Sequence, residues 1–96
     1  MPDATVPVPL HEPERDRFSI TEDGQLAVVD YTIADGVMTI QHTRVPEAIG
    51  GRGIAGILVR AALDHARNLG LKVRPDCSYA NAWMRRHPEY EDLRTV

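Results

Sequence analysis

The sequence lacks the residues that staple or metal-link a small domain. It has one cysteine, Cys77, so no internal disulfide framework can form. No Cys/His pair has zinc spacing, and no metal is expected. Sparse cysteine makes a reducing cytoplasm the default setting. No apolar run approaches the roughly 20 residues of a membrane span, so no membrane partner is expected. The N-terminus is polar, proline-rich and acidic, unlike a secretory signal. Nucleic acid would call for a concentrated basic face and a high pI; the net charge is −3. No segment repeats, and no Gly-Lys-Ser/Thr follows a glycine-rich turn, which excludes a nucleotide P-loop.

What remains is one domain of 96 residues, 43% apolar and 26% charged, the balance of an ordinary globular protein. The charge is divided. Residues 1–40 carry −6 and residues 41–96 carry +3, which suits an anionic small ligand bound by the second half. Residues 1–14, with Pro2, Pro7, Pro9 and Pro13, read as a flexible tail, and residues 15–96 as the domain. Residues 15–21 predict a short strand with Phe18 and Ile20 on one face. Asp23-Gly24 and Asp35-Gly36 separate β-patterned runs at 25–33 and 37–45. Asp-Gly there signals hairpins, because primed turns need φ > 0. A three-stranded antiparallel meander follows, its middle strand covered on both faces. Along 37–45, alternation puts Met38, Ile40, His42 and Arg44 on one face and Thr39, Gln41, Thr43 and Val45 on the other.

Gly50-Gly51-Arg52-Gly53 then opens a helix whose apolar positions are Ile54, Ile57, Leu58, Ala61, Ala62, His65 and Leu69, with Gly70 beyond its end. The first N–H groups of a helix lack partners and carry partial positive charge, and glycine lets a ligand approach the main chain, so phosphate is the natural guest. Arg52 adds a fixed charge. Residues 71–74 form a strand parallel to 37–45 through a βαβ crossover. Residues 78–86 form a second helix stopped by Pro88. Gly51-Arg-Gly-Ile-Ala-Gly56 also fits G-x-G-x-x-G, with Asp76 about 20 residues on, but two hairpins precede it and too little chain follows to complete a dinucleotide-binding sheet.

Open α/β sheets bind ligands beyond the carboxyl ends of their parallel strands. Cys77 lies at that end, and His42 lies a few residues before the end of its strand. Taken singly, each reads as packing: a small buried thiol and a satisfied sheet histidine. Ser78 could cap the last helix or touch a ligand. Arg85 and Arg86 could meet phosphates or face solvent. Trp83 reads as core, and Glu47 as a loop residue that could serve as an alternative base.

The hairpin, Gly-Gly-Arg-Gly-Ile-Ala, helix and parallel strand together resemble the acetyl-CoA-binding core of the GNAT acyltransferase superfamily. Its motif is Arg/Gln-x-x-Gly-x-Gly/Ala; Gly53 and Ala55 match, while Gly50 stands where Arg or Gln is usual. The wider run resembles the minimal YjdJ-type N-acetyltransferase domain over residues 17–93: Phe18-Ser-Ile, His42-Thr-Arg-Val-Pro46, Ala66-Arg67, Pro75-Asp-Cys-Ser-Tyr79 and His87-Pro-Glu-Tyr90. The resemblance implies a compact α+β fold with a mixed sheet and two helices. It implies acetyl-CoA as donor, held by Val45, Gly50, Gly51, Arg52, Gly53, Ile54, Ala55, Ser78 and Asn81, with an amine as acceptor. His42 and Cys77 would flank the thioester as catalytic residues, and a monomer is expected. His42, an imidazole, suits a base for direct transfer. Cys77 suits a covalent route that needs thiolate. A non-catalytic CoA-binding module and a redox-responsive thiol protein are the alternatives; the first has no need of the His42/Cys77 pair, and the second predicts oxidation independent of CoA.

Overall fold

A computed structural model describes residues 6–95. Five strands form one sheet in the order of the chain: β1 (Leu10–Glu12), β2 (Arg17–Glu22), β3 (Gln25–Ala34), β4 (Val37–Arg44) and β5 (Lys72–Pro75). The first three pairings are antiparallel, and β4 with β5 is parallel. Both Asp-Gly turns have the expected positive φ at both residues, 50° and 73° at Asp23-Gly24, 55° and 75° at Asp35-Gly36, the geometry whose twist matches the flanking strands.

Part of the stretch expected as a flexible tail, residues 1–14, is regular structure. Leu10–Glu12 pair with β2 and Pro13–Arg15 form a 3-10 turn, so the meander has four strands. The short alternation is masked in the sequence by prolines, and its anchor is tertiary: the His11 ring stacks on Phe18 at 4.2 Å and Nε2 meets the Tyr31 hydroxyl at 2.6 Å. Residues 1–5 of the expected tail lie outside the described residues.

Helix α1 (Ile54–Asn68) crosses from β4 to β5. Gly70, at φ 72°, ends it as expected. Its buried stripe is Ile54, Leu58, Val59, Ala62, Leu63 and Ala66, rotated from the predicted stripe; Ile57 and Ala61 are half-buried and Leu69 is 55% exposed. The helix is apolar around most of its girth, so the sheet decides which face is core. That face packs on Phe18, Ile20, Val29, Tyr31, Met38, Ile40 and Val73. Each fully buried aliphatic side chain contributes about 1.5–3 kcal/mol.

Helix α2 (Ser78–Arg86) packs beside α1, with Trp83 and Met84 buried. A 3-10 segment, Pro88–Leu93, follows and buries Tyr90 and Leu93; Thr95 then donates to the Val73 carbonyl at 2.9 Å. The middle strand is not covered on both faces as expected. Val28 is buried outside the main core, whereas Leu26 is 46% exposed and Thr32 is exposed. One face of the sheet carries the helices, and the other is largely open.

Candidate active site

Two backbone features build the site. The first is the turn between β4 and α1. A 3-10 segment, Glu47–Ile49, plants Ile49 in the core. Gly51 and Gly53 then both take φ 78°, the left-handed region where a side chain is strained. Gly53 caps α1 with no side-chain hydrogen bond, so the first amide N–H groups of a four-turn helix point outward at its positive end. A cleft of about 260 Å³ lies there, lined by Val45, Ile49, Gly50, Gly51, Gly53, Ile54, Ala55 and Tyr79.

Six of the nine residues expected to hold the cofactor line this cleft. Arg52 does not. Its guanidinium meets Asp23 at 2.9 Å and Glu22 at 3.2 Å, and these hydrogen bonds, the Asp23 one first, push its pKa further up. Ser78 is exposed at the first turn of α2, whose N-cap is Cys77. Asn81 is a tie within the fold: its N–H donates to the Cys77 carbonyl at 3.0 Å and its Oδ1 accepts from Arg94 at 2.7 Å. Arg85 and Arg86 lie in the last turn of α2, at the far end from Cys77. Glu47 is exposed. Sequence reasoning missed Ile49 and Tyr79. Tyr79 carried one usable signal, its i, i+4 spacing to Trp83. Both face Gly56 of α1, where a Cβ would lie 3.1 Å from the Trp83 indole nitrogen and 3.4 Å from the Tyr79 hydroxyl.

The second feature is where β4 parts from β5. The β4–β5 ladder ends at Ile40–Pro75, and the Cys77 N–H then donates to the Ile40 carbonyl at 3.0 Å. Beyond that bond β4 runs on to Arg44 with no strand on this edge among the described residues. Its other edge stays paired with β3, but with a shift: Tyr31 faces Ile40 while Asp30 faces His42. Gln41 is therefore an inserted residue, a β-bulge, and a bulge reverses the facing of everything after it.

The reversal corrects the predicted alternation. His42 and Arg44 do not share the face of Met38 and Ile40. His42 pairs with Asp30 and Arg44 with Val28, on the open side, where Arg44 and Asp30 form an ion pair at 2.9 Å. His42 is exposed and makes no side-chain hydrogen bond among the described residues. Thr43 pairs with Val29 and so joins the helix-covered face. There its hydroxyl lies 3.4 Å from the Cys77 sulfur. Cys77 is half-buried against the core, at the positive end of α2. The fold thus brings Cys77 to Thr43 and sets His42 on the opposite face of the same strand. No signal in the sequence marks the bulge.

Residues 17–93 match the family model described as GCN5-related N-acetyl-transferase. The mouse protein NATD1 is 36% identical over 81 residues, which cover 81% of this chain and 74% of that protein. The zebrafish (Danio rerio) NATD1 is 36% identical over 89 residues, covering 90% of this chain and 81% of its own. The solution structure of a GCN5-like N-acetyltransferase candidate from Staphylococcus aureus superposes with a TM-score of 0.73 at 29% identity, covering 91% of this chain and 86% of that one.

Proposed function

The chain belongs to the GCN5-related N-acetyltransferase family, and on that premise we propose that it binds acetyl-CoA in the cleft at the glycine turn and transfers the acetyl group to an amine. The observation that carries the reading is the continuity of the two backbone features. One cleft joins the free N–H groups of α1 to Val45, just past the end of the unpaired β4 edge, and to Tyr79, two residues beyond Cys77. Those N–H groups suit a pyrophosphate. The unpaired edge of β4 offers N–H and C=O groups to an extended, amide-bearing arm, as an added strand would use them. The donor set fits the ligand without Arg52, Ser78 or Asn81.

Transfer requires the amine nitrogen to bond the thioester carbonyl carbon, the carbon–sulfur bond to break, and one proton to leave the nitrogen. The open face of the sheet gives an acceptor its approach, and His42 stands on that face as the base that takes the proton. A second reading is favoured by the Cys77 position. Its sulfur, at the positive start of α2, could accept the acetyl carbon first, with the CoA thiolate leaving, before the amine attacks the acyl-cysteine. A CoA-binding module without catalysis would keep the glycine turn and dispense with both.

Calorimetry with CoA tests the cleft, and intact mass after incubation with acetyl-CoA under acid quench tests the chemistry. We expect binding, and acetylated amines from a panel of candidate acceptors. A covalent adduct removed by hydroxylamine and missing in Cys77→Ala selects the relay. Full turnover in Cys77→Ala with loss in His42→Ala selects direct transfer. Binding without acetylation of any amine would overturn the enzyme reading in favour of the module.

A further inference from the structure

We propose that the acceptor is a lysine amine in an acidic peptide segment, laid on the open face of the sheet and selected by Arg44 and Arg74, which flank His42. The proposal rests on the reading of that face as the acceptor's side, and adds the acceptor's charge and the residues that choose it.

The register places the three side chains. After the Gln41 bulge, His42 stands opposite Asp30, and Arg44 follows two residues on along the same strand, opposite Val28. On β5, Arg74 pairs with Thr39, between the pairs Met38–Val73 and Ile40–Pro75. Met38, Ile40 and Val73 are fully buried in the core under the helices, so Thr39 and Arg74 point to the open side. Thr39 and His42 face Thr32 and Asp30, which are two residues apart on β3. Arg74 is thus the diagonal neighbour of His42 from the β5 side, a spacing that long side chains span. His42 has Arg44 on one flank and Arg74 on the other, and all three are exposed.

The charges on this face suit an anionic segment. The carboxylates that its strands present, Glu12 and Asp30, are both held. Glu12 accepts from Arg17 at 3.1 and 3.2 Å, and Asp30 is paired with Arg44 at 2.9 Å. Arg44 uses one donor on that bond, and its side chain is 65% exposed, so the rest of its fork is spare. Arg74 makes no ion pair and no side-chain hydrogen bond among the described residues. Its neighbour Lys72 is drawn away to the Asp92 carbonyl at 2.9 Å. The whole chain carries −3, so spare cations here are not a by-product of general basicity. Spare guanidinium donors without a spare carboxylate attract carboxylates and repel a polyamine or a lysine in a basic segment. The same cations favour the neutral form of a nearby amine, which is the form that attacks a thioester. The face is also a platform. No helix covers it among the described residues, so its contacts are spread along an extended chain.

The test uses three fluorescein-labelled pentapeptides with a central lysine flanked on both sides by glutamate, by glutamine or by arginine. Anisotropy reads their binding to the protein with and without CoA, and mass spectrometry reads acetyl transfer. The acidic peptide is expected to bind about three- to tenfold more tightly than the neutral one at low ionic strength, a margin that shrinks with salt, and the basic peptide to bind most weakly. Acetylation is expected to follow the same order. Arg74→Glu is expected to reverse that order, and Arg74→Gln to cut the margin by about two- to threefold. Arg86→Glu makes the same change in net charge in the last turn of α2 and is expected to leave the order as in the parent. Equal binding of the three peptides, an order that survives Arg74→Glu, or an equal shift in Arg86→Glu overturns the proposal. Circular dichroism identifies a variant that has not folded, and Arg74→Gln then carries the decision: an unchanged margin overturns it. Calorimetry with CoA keeps the two readings apart. CoA binding with no preference among the peptides removes this proposal alone. Acidic-peptide binding that Arg74→Glu abolishes, in a protein that binds no CoA, removes the acetyl-CoA reading and leaves recognition of the acidic segment standing.

Discussion

Gly53 and Arg52 sit side by side in the turn and have opposite fates. Gly53 takes φ 78° with nothing within 4 Å of where a Cβ would be, so a side chain there is opposed by backbone strain, about 1–2 kcal/mol, and not by a clash inside the fold. Gly53→Val is therefore expected to stay folded and to lose CoA binding, because the new side chain occupies the approach to the α1 N–H groups. Calorimetry on the folded variant checks it, and unchanged affinity would move the pyrophosphate away from this turn. Arg52 was legible as a cation but not as a committed one; its partners, Glu22 and Asp23, come from a hairpin turn 30 residues earlier. Those carboxylates add negative charge beside the expected phosphate site. The double change Glu22→Gln with Asp23→Asn is expected to tighten CoA binding by about threefold at low ionic strength, an advantage that shrinks with salt. Weaker binding in the double variant would show that the clamp shapes the turn.

Packing between elements decides two further matters. Helix α1 carries apolar side chains on more faces than the sheet can cover, and the half-buried Ile57 and Ala61 line a second cleft with Val6, Pro7, Val8 and Pro9. Gly56, in its first turn, faces Tyr79 and Trp83 of α2. Alanine at a helix interior normally gains about 1 kcal/mol over glycine. Here its Cβ would stand 3.1 Å from the Trp83 indole nitrogen, and Trp83 is 5% exposed and stacked on His87 at 3.6 Å, so it has little room to give. Gly56→Ala is expected to destabilise by about 1 kcal/mol net and to weaken CoA binding by displacing Tyr79. Urea unfolding measures the first effect; a stabilised variant would show that α2 yields easily. In β4, one inserted residue exchanges the roles of His42 and Thr43, an outcome set by pairing with β3.

The whole molecule has a pH profile built from distant groups. His65, on α1, is held below its ordinary value near 6.5, by burial first and then by His11, whose ring centroid lies 4.4 Å away. A histidine with a depressed folded value contributes stability that is present above about pH 6.5 and lost as the pH falls through the folded value. Glu12, Glu91 and Asp92 are also depressed, chiefly by hydrogen bonds from Ser19, Arg94 and Arg67 respectively. Their contribution is present above the ordinary carboxylate range and lost below it. Thermal unfolding is expected to show two acid steps, a shallow one below pH 6.5 and a steeper one below about pH 4.5. His65→Gln is expected to flatten the first and leave the second; an unchanged first step would assign it elsewhere. The chain's N-terminal boundary belongs to this scale too. Removing residues 1–9 is expected to leave the melting temperature nearly unchanged, whereas removal through Arg15 takes His11 off Phe18 and is expected to lower it.

The order of β2 to β5, both hairpins, the βαβ crossover and the glycine turn were determined by the sequence itself, because each rests on local chemistry: Asp-Gly at positive φ, a helical period opened by glycines and closed by Gly70, and proline at strand ends. Six of the nine residues that the family resemblance named for the cofactor line the cleft at that turn. The tertiary structure alone decided what depends on register and on partners far along the chain. Pairing with β3 placed the bulge and so turned Thr43, not His42, toward Cys77. The β2–β3 turn captured Arg52, Arg94 captured Asn81, and Phe18 and Tyr31 gave the proline-flanked β1 an anchor. A side chain's facing changes with one inserted residue, and a charge is engaged by whatever the fold brings beside it; neither is a property of the neighbouring sequence.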